Sequence, residues 1–552
     1  MPIKNQWLYI FLLLLAINLF LFNGQITLWD EDEAAYAGFA STMLESGNWV
    51  QPDFLWSRIH RKTPLHFWNV ALSYKLFGVN EWATRLSSVL SLLLTCFLTW
   101  RWGRSVFGES VSRWAAIVLA TTLIVPLTGK VALTDATLLL FQTSAVLSLF
   151  NFLKTPHWKW NLTFWLSMSL GVLTKGPLII ILCGGLWLFL LAFHPSRKTL
   201  VRLHPWFFGI LALLPTALWM NCSWQQDNGE LVTFLYDWYI AQRVGGSVLG
   251  QTGIPGYHLV ILIIAFLPWL AFFVPAMIHQ FRNFFSKENN HLLLSGWLIF
   301  GWLFFELMSS KLPSYALGAH PAVAFLIGYQ VVKFFEGTER AVTPVMTASW
   351  IFSLFIMLVL AIGLPIGIHQ FFKSELLPAY FIFSAVVILL LGIQIYCFRK
   401  KRYSAFVYSL AGTGWGILFL IISCLVPIVE ESPMKSLSQV ASIANQKAIE
   451  QNVNHDDIVV IFSDLGNKMT KVSLPFYISR YFKRYGTRPK DKALQAYLKK
   501  DPFILIVNEE VLEYLGEELN QKGRSLEGVQ RIAWWSTDDK LRSHDYYVLS
   551  NF

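Results

Sequence analysis

The sequence predicts a polytopic α-helical membrane protein of about 13 transmembrane helices, with a small C-terminal α/β soluble domain. Three observations predict it. Hydrophobic residues make up 55% of the 552-residue chain and charged residues only 14%, with a mean hydropathy of +0.48; soluble domains carry roughly a quarter charged residues. Apolar runs of about 20 residues, the length that crosses a bilayer, recur as far as Pro427. Beyond that point the chain turns mixed and polar, with short apolar runs separated by helical periodicity.

The apolar runs centre near Leu14, Leu92, Val118, Phe141, Trp165, Leu186, Leu211, Ile263, Ile299, Ala324, Met357, Ile388 and Phe419. Several are interrupted, at Pro126, at Gly176-Pro177 and at Pro268. The 24 tryptophans suit interfacial belts. Basic residues fall in every second loop: Lys4, then Arg101, Arg104 and Arg113, then Lys154 and Lys159, then Arg197, Lys198 and Arg202. The pattern continues with Arg282 and Lys287, Lys333 and Arg340, and Arg399 to Arg402. By the positive-inside rule these loops and the N-terminus face the cytoplasm. The loop 24–81, the loop 223–257 and the C-terminal segment then face the other side. The first run is followed by no small-residue cleavage site and is expected to stay as an anchor.

The transmembrane domain is expected over 1–430 and the soluble α/β domain over 431–552. In the latter, DIVVIF (Asp457 to Phe462), PFILIV (Pro502 to Val507) and YYVLS (Tyr546 to Ser550) read as short buried strands. SLSQVASIANQKAIEQ, PKDKALQAYLKK and EEVLEYLGEELNQKG between them read as helices. No Gly-rich phosphate loop is present, so this domain is not expected to be catalytic by itself.

Net charge is +10 and the isoelectric point about 9.2. Cytoplasmic-loop cations that set topology and touch anionic lipid account for that balance without nucleic acid. The five cysteines (Cys96, Cys183, Cys222, Cys397 and Cys424) lie in or beside apolar runs, at no metal-ligand spacing. They read as packing residues. His60, His66, His258 and His320 show no ligand spacing either, so no metal is assigned.

Function is sought in the first outer loop. It carries four consecutive carboxylates (Asp30, Glu31, Asp32 and Glu33) and then a basic cluster of Arg58, His60, Arg61 and Lys62. Both signs of charge gathered beside a membrane suit a site that holds an anionic lipid phosphate next to a carboxylate. Like charges in a row repel, so at most one or two of the acids can enter a site and the rest stay solvated. Asp135, in GKVALTDATLLLF, stands at the outer start of an apolar run. A carboxylate there needs a polar cavity or a partner, or caps the helix with Thr134. Lys62, Lys130, Lys175, Arg243 and Lys311 stand on the same face, with Arg58 and Arg61. Any one of them could snorkel to the interface. Several converging there favour a phosphate site.

LWDEDEAAYA, SGNWVQPDF, RKTPLHFW and FGVNEWATRL together resemble the opening of the GT-C membrane glycosyltransferases. The pattern is most similar to the lipid A 4-amino-4-deoxy-L-arabinose transferases and the bacterial protein-mannosyltransferase-like enzymes. LTDATLLLF resembles that family's second acidic motif and GVLTKGPLIIIL its Thr-Lys-Gly stretch. YIAQRV and SSKLPSYALGAHPAVAFLIG follow in family order, so the likeness runs from Trp29 to about Gly328. The resemblance implies Asp32 as the main catalytic carboxylate and Asp135 as the second. It implies Lys62 and Arg243 at the donor phosphate, with Tyr36 and Tyr315 nearby. Glu33, Arg58, Arg61, Lys175, Lys311 and His258 are further lining candidates. The chain departs from the pattern at Ala35, Arg61, Thr63 and Tyr239, which bears on the acceptor and the phosphate surroundings rather than on the class of reaction.

The expected function is inverting transfer of a sugar from a polyprenyl-phosphate carrier to a lipid (lipid A-like) or protein acceptor, on the periplasmic side of the bacterial inner membrane. The expected partners are therefore that donor, that acceptor and membrane lipid. A lipid-linked donor is already activated, so no cofactor is required, and a divalent metal has no support. Two alternatives belong to other classes. A transporter or flippase of lipid-linked sugars expects charges deep in midplane helices and internal repeats. A scaffold whose C-terminal domain binds envelope polymer expects a first loop indifferent to mutation.

Overall fold

The computed structural model describes residues 5–29, 32–54, 62–237, 253–286, 290–337, 342–372, 378–430, 436–463, 472–498, 501–526, 528–532 and 545–552. Its first part is helical throughout. Helix α1 (Asn5–Phe20) leads into the first polar loop, which holds α2 (Asp32–Ser46) and α3 (Leu65–Phe77). Then follow α4 (Glu81–Phe107), α5 (Glu109–Ala120), α6 (Ile124–Thr128), α7 (Thr134–Lys154) and α8 (Trp158–Lys175).

By length and composition, seven of the described helices can cross a membrane: α4, α7, Pro205–Asp227, Pro313–Glu336, Pro344–Gln370, Pro378–Arg399 and Tyr403–Ile428. An eighth arises if Tyr257–Ala265 and Leu267–Arg282, bent by 76°, form one broken span. Gln6–Phe20, Ile180–Phe193 and His291–Glu306 are apolar but shorter. The expectation of about 13 spans also counted these shorter helices, α5 and α8. The reason for the lower count is physical. With 12 residues, α5 reaches only about 18 Å, against a hydrocarbon core of about 30 Å.

The bundle packs around α7, the most buried of these helices. Its inner faces carry small hydroxyl residues, as membrane helix interfaces commonly do. Ser144 accepts from Ser167 of α8 at 2.8 Å, and Thr137 meets Ser91 of α4 at 3.2 Å. Gly328 sits so close to α5 that a Cβ would lie 2.6 Å from the Val111 carbonyl oxygen. No other residue fits there without a shift.

The C-terminal part builds a five-stranded sheet: β1 (Val459–Ser463), β2 (Arg484–Arg488), β3 (Phe503–Val507), β4 (Gln530–Ile532) and β5 (Tyr546–Ser550). The order is β2-β1-β3-β5-β4, with β2, β1 and β3 parallel and β5 antiparallel to both β3 and β4. One face, with Ile461, Leu505 and Leu549, is covered by helices Lys490–Tyr497 and Glu509–Gln521. The other, with Val460, Phe462, Ile504 and Val548, shares one continuous core with Phe39 of α2 and Phe67 and Val70 of α3. Polar ties seal this join. The Leu28 N–H donates to the Tyr477 hydroxyl at 2.8 Å, and Arg480 Nη1 donates to Glu81 Oε1 at 2.7 Å.

Beneath that join lies a buried ion pair. Arg85 of α4 is 0% exposed and Glu33 of α2 is 1% exposed. They meet through two bonds, Nε to Oε1 at 2.8 Å and Nη2 to Oε2 at 3.0 Å. Each partner's remaining capacity is used. Glu33 accepts from the N–H groups of Trp29 (2.8 Å) and Ala132 (2.7 Å). Arg85 donates to the carbonyls of Asn23 (2.8 Å), Ile26 (2.7 Å) and Thr27 (2.9 Å). Removing one partner strands the other charge. We predict that Glu33→Ala destabilises the protein by about 3–5 kcal/mol, whereas Glu33→Leu with Arg85→Met costs far less. Thermal unfolding of the purified variants checks this; equal losses in the single and double variants would sink it.

Candidate functional site

The first polar loop is pinned so that one turn of α2 faces inward toward α7. Asp32 and Glu33 are adjacent in the first turn of α2 and therefore point to different sides. Glu33 turns down to Arg85. Asp32 stays exposed and lines a cavity of 770 Å3, together with Tyr36 one turn further on. The same cavity is lined by Lys62, Thr134, Asp135, Lys175, Ser310, Ser314 and Tyr315. Its other walls are apolar, among them Ile124, Leu127, Leu178, Phe304, Met308 and Leu317.

Local sequence sets each of these groups in place. Thr63 Oγ1 donates to the Val172 carbonyl of α8 at 3.0 Å, which fixes the residue next to Lys62 against the bundle. α7 starts from an extended Leu133 with no side-chain cap. The Asp135 carboxylate is thus not spent as an N-cap, and it accepts from Lys175 Nζ at 2.8 Å. Lys175 is the last residue of α8, and the Gly176 that ends the helix has φ +66°, a conformation that favours glycine. Ser314 lies within hydrogen-bonding reach of Asp135, and Lys62 acts on it through space. Both flanking chains are nearly buried, 11% exposed for Lys175 and 12% for Asp135. The result is a mostly apolar cavity with two carboxylates, two ammonium groups and two phenols.

The structure therefore gathers Asp32, Asp135, Lys62, Lys175, Tyr36 and Tyr315, and sets three other sequence-derived candidates elsewhere. Glu33 is in the buried pair. Lys311 and His258 form a second cluster around Glu306, whose Oε2 lies 3.6 Å from Lys311 Nζ and 3.7 Å from His258 Nδ1. Glu306 also accepts from the N–H groups of Gly256 and Leu259, both at 3.1 Å, at the start of helix Tyr257–Ala265. These residues shape the wall behind Tyr315 and are not among the cavity's lining. Arg58, Arg61 and Arg243 lie outside the described residues, as do Asp30 and Glu31. Among the described residues no group of three or more His, Cys, Asp or Glu is placed to hold a metal ion.

Sequence reasoning did not single out Arg85, or His66 as a neighbour of the site. Arg85 did carry a signal, being a charge one turn into an apolar helix, which demands a partner. His66 carried none. It is fully buried, its ring meets Tyr36 edge-on at 5.4 Å, and its Nε2 is 3.0 Å from the Ala132 carbonyl oxygen. That nitrogen is therefore the donor.

Burial lowers the His66 pKa from its usual 6.5 to about 4. A depressed folded-state value means that the unfolded chain takes up the proton first. The stabilisation is complete above pH 6.5 and is lost as pH falls toward 4. We predict that His66→Gln removes an acid-sensitive stability component worth up to about 3 kcal/mol in that window. Unfolding midpoints between pH 7 and pH 4 test this, and a parallel pH slope in both proteins would refute it.

Comparison with known proteins follows the same direction. Residues 61–220 match the family described as Dolichyl-phosphate-mannose-protein mannosyltransferase. An undecaprenyl phosphate-alpha-4-amino-4-deoxy-L-arabinose arabinosyl transferase of Erwinia tasmaniensis is 29% identical over 55% of this chain, and the match spans 56% of that relative. The transferase of the same name from Shewanella sediminis is 25% identical over 77% of this chain and 78% of its own length. In three dimensions the chain superposes on the crystal structure of ArnT from Cupriavidus metallidurans bound to undecaprenyl phosphate, with a TM-score of 0.74. That likeness covers 100% of this chain and 99% of the other at 18% identity, so it speaks to the fold. The resemblance to the GT-C membrane glycosyltransferases that the motifs carried is thereby borne out.

Proposed function

We propose that this chain, which has the fold and the motif order of the GT-C membrane glycosyltransferases, is an inverting glycosyltransferase. It moves one sugar from a polyprenyl-phosphate carrier to a lipid A-like lipid or a protein acceptor. In this reading it is a multi-pass protein of the bacterial inner membrane, its bundle completed to about 13 spans by the three shorter apolar helices, by α8, and by α5 taken together with α6. The N-terminus is cytoplasmic, and the C-terminal α/β domain is periplasmic.

The observation that carries this reading is the cavity that pairs a polar end, Asp32, Lys62, Asp135 and Lys175, with apolar walls. A polyprenyl-phosphate sugar has the same division, a charged head on a hydrocarbon tail. The relatives named above are transferases, which favours transfer over transport.

The chemistry follows from the groups present. The acceptor hydroxyl attacks the anomeric carbon while the bond from that carbon to the phosphate oxygen breaks. Polyprenyl phosphate leaves with the bonding electrons. Lys62, joined by Arg243 as the motif resemblance implies, stabilises the charge that develops on it, where preorganised cations lower a barrier most. Asp32, exposed at the mouth of the cavity, takes the proton from the acceptor. Asp135, neutralised in part by Lys175, faces the oxocarbenium-like sugar, and Tyr36 and Tyr315 bound the head group. A donor activated by its own phosphate needs no cofactor.

Transfer from radiolabelled polyprenyl-phosphate sugars to envelope acceptors tests the reading. Asp32→Asn should lower the rate by roughly 10²–10⁴-fold, and Lys62→Ala by about 10²–10³-fold. Folded variants that keep wild-type transfer would overturn the assignment. Donor that crosses a vesicle bilayer with no transfer would replace it with a flippase.

A further inference from the structure

The cavity wall on the Tyr315 side is an irregular stretch of chain. It runs from the end of helix His291–Glu306 through residues 307–312 to the short helix Pro313–Ala319. Phe305, Met308, Ser310, Leu312, Ser314 and Tyr315 of this stretch all line the cavity. Backbone with no regular ladder of its own must be held by other groups. Here one carboxylate gathers most of them.

Glu306 does not line the cavity, and its side chain is 15% exposed. Its Oε1 accepts from the Leu259 N–H and from Trp302 Nε1, both at 3.1 Å, and its Oε2 accepts from the Gly256 N–H at 3.1 Å. Two of these donors open helix Tyr257–Ala265, whose own N-cap, Gly256, offers no side chain. A carboxylate from a segment about 50 residues away therefore caps that helix, at the end where negative charge is favoured. Lys311 Nζ approaches Oε2 to 3.6 Å and donates to the Glu306 and Phe305 carbonyls at 2.8 and 3.3 Å, which folds the wall back onto the helix end. Lys311 also packs against Gly253, where a Cβ would come within 2.9 Å of Lys311 Cδ. A second tie is made by His258, whose Nε2 donates to the Leu312 carbonyl at 3.1 Å and whose ring lies 6.4 Å from that of Tyr315.

We infer that Glu306 is a positioning residue for the donor head group. It joins the start of helix Tyr257–Ala265 to the wall that carries Tyr315, and so fixes where the Tyr315 phenol stands in the cavity. It touches no reacting atom and acts through Tyr315, whose ring packs on Phe305, the residue before Glu306, at 5.7 Å. A π-helical turn, Ile299–Leu303, leads into this joint, and such turns are frequent at functional sites. Misplacement of a site group by about 1 Å can cost 10²-fold, so a modest relaxation of the joint is measurable. The inference rests on the transferase reading for its choice of ligand.

The test measures polyprenyl-phosphate binding by the full chain in detergent, with sugar transfer and the unfolding midpoint followed alongside. Glu306→Gln keeps the size and one acceptor oxygen but turns an amide donor toward Lys311 or the backbone N–H groups. It should weaken binding by at least about tenfold with little change in unfolding midpoint. Lys311→Met removes the other half of the joint and should do the same; it decides the matter if Glu306→Gln does not fold. Tyr315→Ala should also weaken binding. Adding Glu306→Gln to it should cost no more than about twofold further, because the first change acts through the second residue. Losses that multiply in the double variant would mean a general effect on the fold and overturn the proposal. Normal binding by a folded Glu306→Gln, or by Tyr315→Ala, overturns it as well. A wild type that binds polyprenyl phosphate but transfers no sugar counts against the transferase reading alone.

Discussion

The rest of the structure depends on the Glu33–Arg85 pair. Two fully desolvated charges are costly, and they persist only where geometry and further hydrogen bonds offset that cost. Here five additional bonds do so, and all five go to backbone. The acceptors and donors belong to the exit of α1, the start of α2 and the segment before α7. One side-chain pair thus fixes three pieces of irregular chain that have no regular ladder of their own. Asp32 is the neighbour of Glu33, and Asp135 lies three residues beyond Ala132. The placement of both cavity carboxylates follows from how this pair is satisfied.

The charges around the first polar loop and the nearby helix breaks divide into separate neighbourhoods, each with its own sign balance. Glu33 and Arg85 are closed off. Glu306, Lys311 and His258 hold the break before helix Tyr257–Ala265. Lys130 Nζ donates to the Leu21 and Leu19 carbonyls, at 2.5 and 3.3 Å, and finishes the end of α1. What remains toward the cavity is the set with Asp32 and Lys62, beside the Asp135–Lys175 pair. Most of this charge is therefore structural, and only a small part of it faces the cavity. An amphiphilic ligand with a single anionic head fits such a division.

Much of this was legible in the sequence, and the limits have physical causes. All thirteen apolar centres fall on helices, because hydrophobic run length reports on burial in lipid directly. Whether each helix is long enough to cross was not legible at Val118, where the chain breaks at Thr121 to Leu123 without a proline. In the C-terminal part the runs at Val460, Ile504 and Tyr547 lie on strands. The motifs led to Asp32, Asp135, Lys62 and Lys175, which the cavity brings together. The split between Asp32 and Glu33 could not be read, because it depends on Arg85, 52 residues away. Lys311 and Lys175 look alike in sequence, each before a helix break. Only the presence of Glu306 beside one and Asp135 beside the other separates them.

The core that Phe39 and Phe67 share with Val460 and Ile504 joins residues more than 380 positions apart. A ribosome makes the first polar loop long before it makes the segment that covers it. Contacts of such separation form late, since loop closure must precede their reward. During synthesis the apolar side of α2 and α3 therefore waits unpaired at the bilayer surface. The Leu28 to Tyr477 bond, which spans 449 residues, closes only after the C-terminal segment has been made. Assembly of this protein is thus ordered in time, with the loop that carries Asp32 among the last parts to become rigid.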